Sequence, residues 1–142
     1  MYSNLKFDRM SSTDRFYIGC PVQHARQFIA GKWQMGILWN LRNRSMSFSE
    51  IKSELPGLSD KILTQELNFF VLKKVICRNT SEFPTIKTDY SLSGVGKSLI
   101  PVINLIVEWG YLNLQEEQVN KEMSMTPVPA IEAIASEMLK TF

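Results

Sequence analysis

The chain is poor in the residues that most chemistry needs. It has two cysteines, Cys20 and Cys77, and one histidine, His24. Two cysteines make no disulfide framework, and the three residues together fall short of a zinc ligand set. No Ser-His-Asp arrangement or metal-ligand spacing is visible, so the sequence argues against an enzyme, a metal or a cofactor. His24 reads as a surface or interface side chain. No apolar run approaches the roughly 18 residues of a membrane span, and no signal-peptide core opens the chain. A cytoplasmic protein without membrane contact is expected. Repeats and low-complexity tracts are absent. Neither sign of charge dominates: sixteen Lys and Arg face fourteen Asp and Glu, a net charge of +2. That balance permits nucleic-acid binding without arguing for it. Any basic surface must come from local clustering.

What is there suits one folded domain. The 142 residues are 44% hydrophobic and 21% charged, enough to bury a real core. The most informative stretch runs from Gly57 to Lys74. Gly57 ends the preceding helix. Ser59 is a favoured N-cap, and Asp60 places a negative charge in the first turn. Leu63, Leu67, Phe70 and Val71 then recur at helical spacing on one face. Lys61, Thr64, Gln65 and Asn68 recur at i, i+3, i+4 and i+7 on another. That second stripe holds no carboxylate, and its side chains are types that bond to base edges and phosphates. It suits the recognition helix of a helix-turn-helix, and equally a solvated polar face. Glu66 beside the stripe and Leu72 beyond it fit DNA poorly.

Residues 1 to 16 read as an N-terminal arm. Pro21 opens a first helix, with Val22, Ala25, Phe28 and Ile29 on one side and Gly31 at its end. A second helix is expected over Lys32–Arg42, with Trp33, Ile37, Leu38 and Leu41 apolar; Trp33 and Trp39 read as core. Ser47 and Glu50 form a capping-box pattern, with Met46 and Ile51 as its hydrophobic staple. The spacing predicts a third helix over Phe48–Leu55, closed by Pro56-Gly57. After Lys74 the period changes. Val75–Thr80 and Thr85–Leu92 read as two strands around a turn at Ser81–Pro84. Ile86, Thr88, Tyr90 and Leu92 share one side, and Cys77 is expected in the core. A hairpin directly after a recognition helix is the layout of a winged helix. Lys87 near its tip is either a phosphate or minor-groove contact or a solvated lysine that blunts a strand edge. Ser93 caps a long helix to Leu114, in which Pro101 should cause a kink. Leu99, Val102, Ile103, Ile106, Val107, Tyr111 and Leu112 exceed what so small a body can cover, so a partner subunit is expected. Residues 115 to 142 read as a linker and a C-terminal helix with an apolar stripe from Ile131 to Phe142. The fold class is thus mainly α with a small β-hairpin wing, residues 17 to 114 forming the winged helix-turn-helix.

Several motifs resemble one family. Cys20-Pro-Val, Ile29-Ala-Gly-Lys-Trp33, Ser47-Phe-Ser-Glu-Ile51, Leu55-Pro-Gly-Leu-Ser59 and Lys61-Ile-Leu-Thr-Gln65 are similar, in order and spacing, to the HxlR family. So are Asp89-Tyr-Ser-Leu-Ser93, Gly96 and Leu99-Ile-Pro-Val102. These are bacterial winged-helix transcription regulators related in architecture to the MarR group. The resemblance implies a homodimer, built through the first and long C-terminal helices, that binds a pseudo-palindromic operator in double-stranded DNA. Lys61, Thr64, Gln65 and Asn68 would then face the major groove. Lys87, Ser47 and Ser49 would meet backbone phosphates. Val22, Phe28, Leu99, Ile103, Ile106, Val107 and Tyr111 would line the dimer seam. Cys20 matches a position at which some members sense oxidants or electrophiles, and a helix start favours a reactive thiolate. A small-molecule effector between subunits is another trigger. The family's basic residue is replaced by Glu66, and its glycine after the recognition helix by Val75. The alternative function is a redox or small-molecule sensing dimer that acts by protein contact, with DNA binding weak or lost.

Overall fold

The computed structural model describes residues 19 to 114 and Met125. The expected N-terminal arm and the C-terminal helix beyond Ile131 lie outside the described residues. The elements follow the order α1 (Pro21–Ile29), α2 (Gln34–Asn40), β1 (Met46–Ser47), α3 (Phe48–Glu54), α4 (Asp60–Leu72), β2 (Ile76–Ser81), β3 (Lys87–Leu92) and α5 (Gly94–Asn113). The hairpin gains a third strand that periodicity could not announce, because β1 is two residues long. The sheet order is β1-β3-β2, all antiparallel, with Met46 opposite Tyr90 and Arg78 also opposite Tyr90. This is a winged helix-turn-helix: α3 and α4 flank the tight Leu55–Ser59 connection, and the sheet is the wing.

The core collects one face from each element. Ile37 and Leu38 come from α2, Ile51 from α3, Leu63, Leu67 and Phe70 from α4, Val75 and Ile76 from the approach to the wing, and Ile103 from α5. All nine are essentially inaccessible. Each such side chain stabilises the fold by about 1.5–3 kcal/mol relative to exposure. Trp39 is buried and Trp33 packs against the core, as two such close tryptophans suggested. No helix among the described residues is long and apolar enough to cross a membrane.

The helix ends follow local chemistry. The capping box at α3 is complete: Glu50 N–H donates to Ser47 Oγ, and Ser47 N–H donates to Glu50 Oε2 at 2.7 Å. Arg44 adds an ion pair to Glu50 at 3.0 Å. The Ser47 N–H, followed by Arg44, lowers the Glu50 carboxyl from 4.5 to about 2. A depressed folded-state value stabilises the fold above the unfolded one and loses that effect as pH falls. Stability should therefore decline as pH drops from about 4.5 to about 2. In denaturant titrations across this window, Glu50→Gln should flatten the decline. A slope kept by the variant would place the acid sensitivity elsewhere.

Helix α4 ends in a Schellman motif. Val75 N–H donates to Phe70 O at 2.9 Å and Lys74 N–H to Val71 O at 3.0 Å. The left-handed residue this motif needs is Lys74, at φ +60°. The place where a glycine would be at home is thus Lys74, not Val75, which is buried as the motif's hydrophobic contact. Next, Ser93 Oγ donates to Lys74 O at 2.7 Å and accepts from Gly96 N–H. The start of α5 is thereby fastened to the end of α4.

Candidate nucleic-acid interface

Ser59 Oγ accepts from Ile62 N–H at 3.2 Å, and Asp60 sits in the first turn of α4. Leu63, Leu67 and Phe70 are anchored in the core, which fixes the rotation of the helix. Lys61, Thr64, Gln65 and Asn68 are consequently all exposed. At 1.5 Å rise per residue they span about 10 Å, a length that fits a major groove about 12 Å wide. Leu72, one turn on, is 77% exposed.

Glu66 does not belong to this stripe. It is half-buried and accepts from Gln34 Nε2 at 3.2 Å. Gln34 is itself buried, donating to Gln27 O at 3.0 Å and accepting from Gly31 N–H at 2.9 Å. The carboxylate that seemed ill-placed for DNA thus ties α4 to the α1–α2 junction. Phe28 on α1 meets Phe69 on α4 beside it, with ring centroids 5.9 Å apart.

The flanking residues divide. Ser47 commits its N–H and hydroxyl acceptor to the capping box, so it cannot offer its N–H to a phosphate as expected. Ser49 is exposed. Lys87 opens β3 with its side chain 63% exposed and its Nζ 3.6 Å from Asp89 Oδ2. Sequence reasoning missed Arg78. It lies on the face of β2 that carries buried Ile76, with its guanidinium 5.6 Å over the Tyr90 ring and Nη2 2.5 Å from Asn68 Oδ1. A charged residue at an inward parity of a strand was the available signal.

Two expected dimer residues are corrected. Phe28 and Ile103 are 6% and 0% exposed, because α1 and α5 turn those positions into the core of their own chain. Leu99 and Val107 pack partly against that core. Val22, Ile106 and Tyr111 are exposed, at 65%, 38% and 42%. On α5, Val102, Leu105, Ile106, Trp109 and Leu112 form an exposed apolar face at helical spacing. Cys20 is the N-cap of α1, partly exposed, and its side chain makes no capping bond. Cys77, expected in the core, is exposed instead. It sits on the sheet face opposite Ile76 and Tyr90, on an edge strand of which only the first residue is buried. Among the described residues no group of His, Cys, Asp and Glu could hold a metal ion.

Comparison with known proteins agrees with this geometry. The model of the HxlR-like helix-turn-helix family matches residues 28–118. YdzF of Bacillus subtilis (strain 168), named as an uncharacterized HTH-type transcriptional regulator, is 33% identical over 91 residues, which are 63% of this chain and 84% of that protein. A structure assigned to the MarR family of transcriptional regulators from Porphyromonas gingivalis W83 superposes with a TM-score of 0.63 at 34% identity, covering 67% of this chain and 93% of that one. The oxidized form of the redox regulator HypR gives a TM-score of 0.63 at 26% identity, covering 68% of this chain and 99% of the other. A family match over most of the chain, on a winged helix whose helix α4 turns an acid-free polar stripe outward, leads to one conclusion: this protein belongs to the HxlR-like helix-turn-helix family of transcription regulators.

Proposed function

We propose that two copies of this chain pair through α5 and α1 and bind a pseudo-palindromic operator, α4 of each entering successive major grooves. The observation that carries this is the joint exposure of Lys61, Thr64, Gln65 and Asn68 on a helix whose opposite face is locked in the core. Lys87 would neutralise a phosphate beside the wing, and Ser49 would donate its hydroxyl to another. Such a protein works where the chromosome is, in the cytoplasm. The engagement of Glu66 by Gln34 supports this reading over a dimer that acts without DNA binding.

The test is a fluorescence-anisotropy titration against the DNA upstream of the protein's own gene and against random duplex. Gln65→Ala should weaken operator binding by about 1–3 kcal/mol and relax specificity. Lys87→Ala should weaken both duplexes alike and reduce the slope of log K against log salt by about 1. If Gln65→Ala binds both duplexes as wild type does, α4 is not the reading helix. An unchanged slope removes Lys87 from the contacts.

We further propose Cys20 as the thiol through which an oxidant acts. Its partly exposed position at the start of α1 supports this, as does the likeness to a protein named a redox regulator. Diamide should change operator affinity in wild type and not in Cys20→Ser. Equal responses of the two proteins would exclude that thiol.

A further inference from the structure

Asn68 is not free to present its amide in either sense. The guanidinium of Arg78 has donors only, so the Asn68 atom 2.5 Å from Nη2 must be the acceptor Oδ1. Arg78 is itself held from behind by the Tyr90 ring at 5.6 Å, its partner across the sheet. With Oδ1 turned to Arg78, the planar amide directs its Nδ2 hydrogens to the other side. A free asparagine reads adenine by donating to N7 and accepting from the N6 amino group. Here Arg78 takes one lone pair of the acceptor, and its positive charge disfavours the approach of a second donor such as the adenine amino group. Guanine offers two acceptors, O6 and N7, to the same place.

We infer that Arg78 is a positioning residue that sets the base preference of Asn68: the pair forms an edge dominated by donors and positive charge, which selects guanine over adenine at one position of each half-site. The inference rests on the proposed reading of DNA by α4. It assigns Arg78 a part in specificity, although this residue lies on the wing and ten positions away in sequence.

The experiment is selection of binding sites from a duplex library with a randomised 24-base-pair core. Wild type, Asn68→Ala, Arg78→Ala and Asn68→Asp are run in parallel, each checked for cooperative melting. Asn68→Ala identifies the position that Asn68 reads, as the one whose preference disappears. Wild type should favour guanine there by about tenfold. Arg78→Ala should move that position towards adenine and leave the others as they were. Asn68→Asp keeps an acceptor for Arg78 but shows no donor outward, so it should lose the guanine preference even if Arg78→Ala does not fold. An unaltered guanine preference in Arg78→Ala, or in Asn68→Asp, overturns the inference. So does a wild-type preference for adenine. If wild type enriches no sequence at all, the proposed function falls together with it.

Discussion

Gly96→Ala should lower the unfolding free energy by about 3 kcal/mol, at the upper end for an overpacked site. A Cβ at Gly96 would stand 2.2 Å from the Val75 carbonyl oxygen, with two Leu92 carbons at 3.2 and 3.3 Å. The closest of these atoms is backbone, so no rotamer change relieves the clash. The chain at Val75 cannot retreat easily either. Its N–H closes the Schellman motif at Phe70, and its carbonyl accepts from Ser93 N–H at 3.0 Å. A shift there would therefore reach the end of α4 and weaken DNA binding as well as stability. Gly94→Ala is the matched control, since nothing lies within 4 Å of its added Cβ. Thermal melts should separate the two variants by roughly 10 °C. Equal melting temperatures would mean that α5 can slide on the wing, and that its fastening through Ser93 is weak.

Trp109→Asp should convert a dimer into a monomer. Trp109 is 67% exposed at the middle of the α5 face made with Val102, Leu105, Ile106 and Leu112. In a two-fold seam one substitution appears twice, so two carboxylates would meet in an apolar contact. A charge left there without a counter-ion costs several kcal/mol, enough to dissociate a dimer at micromolar concentration. Light scattering should report about twice 16.3 kDa for wild type and 16.3 kDa for the variant. Operator affinity should fall at least about a hundredfold, because each half-site is then bound without the benefit of the other. Thermal stability of the protomer should hardly change, since Trp109 contributes little to its core. A dimeric variant would move the seam elsewhere. A monomeric wild type would remove the basis for a paired operator.

How much of this was legible in the sequence differs from residue to residue. The limits of α4 were readable because Ser59, Asp60 and the 3.6-residue recurrence of Leu63, Leu67 and Phe70 act within a few residues of one another. The capping box at Ser47 and Glu50 was readable for the same reason. Phe28 and Ile103 were misplaced because an apolar stripe shows that a face is buried but not by which chain. Cys77 was misplaced because strand parity does not tell how far the core extends under an edge strand. Glu66 looked out of place until Gln34, thirty-two positions earlier, was seen to receive it.

By itself the sequence determined the helices, their caps, the hairpin and the polar stripe on α4, since propensity, periodicity and capping are local free-energy effects. Only the tertiary structure decided which apolar residues the chain keeps for its own core and that the Glu66 carboxylate is drawn away from the polar stripe of α4. The tertiary structure also set how Arg78 restrains Asn68. Those outcomes depend on side chains ten to thirty-two positions apart, and it is the packing of α4 between α1, α2 and the wing that brings them within hydrogen-bonding distance.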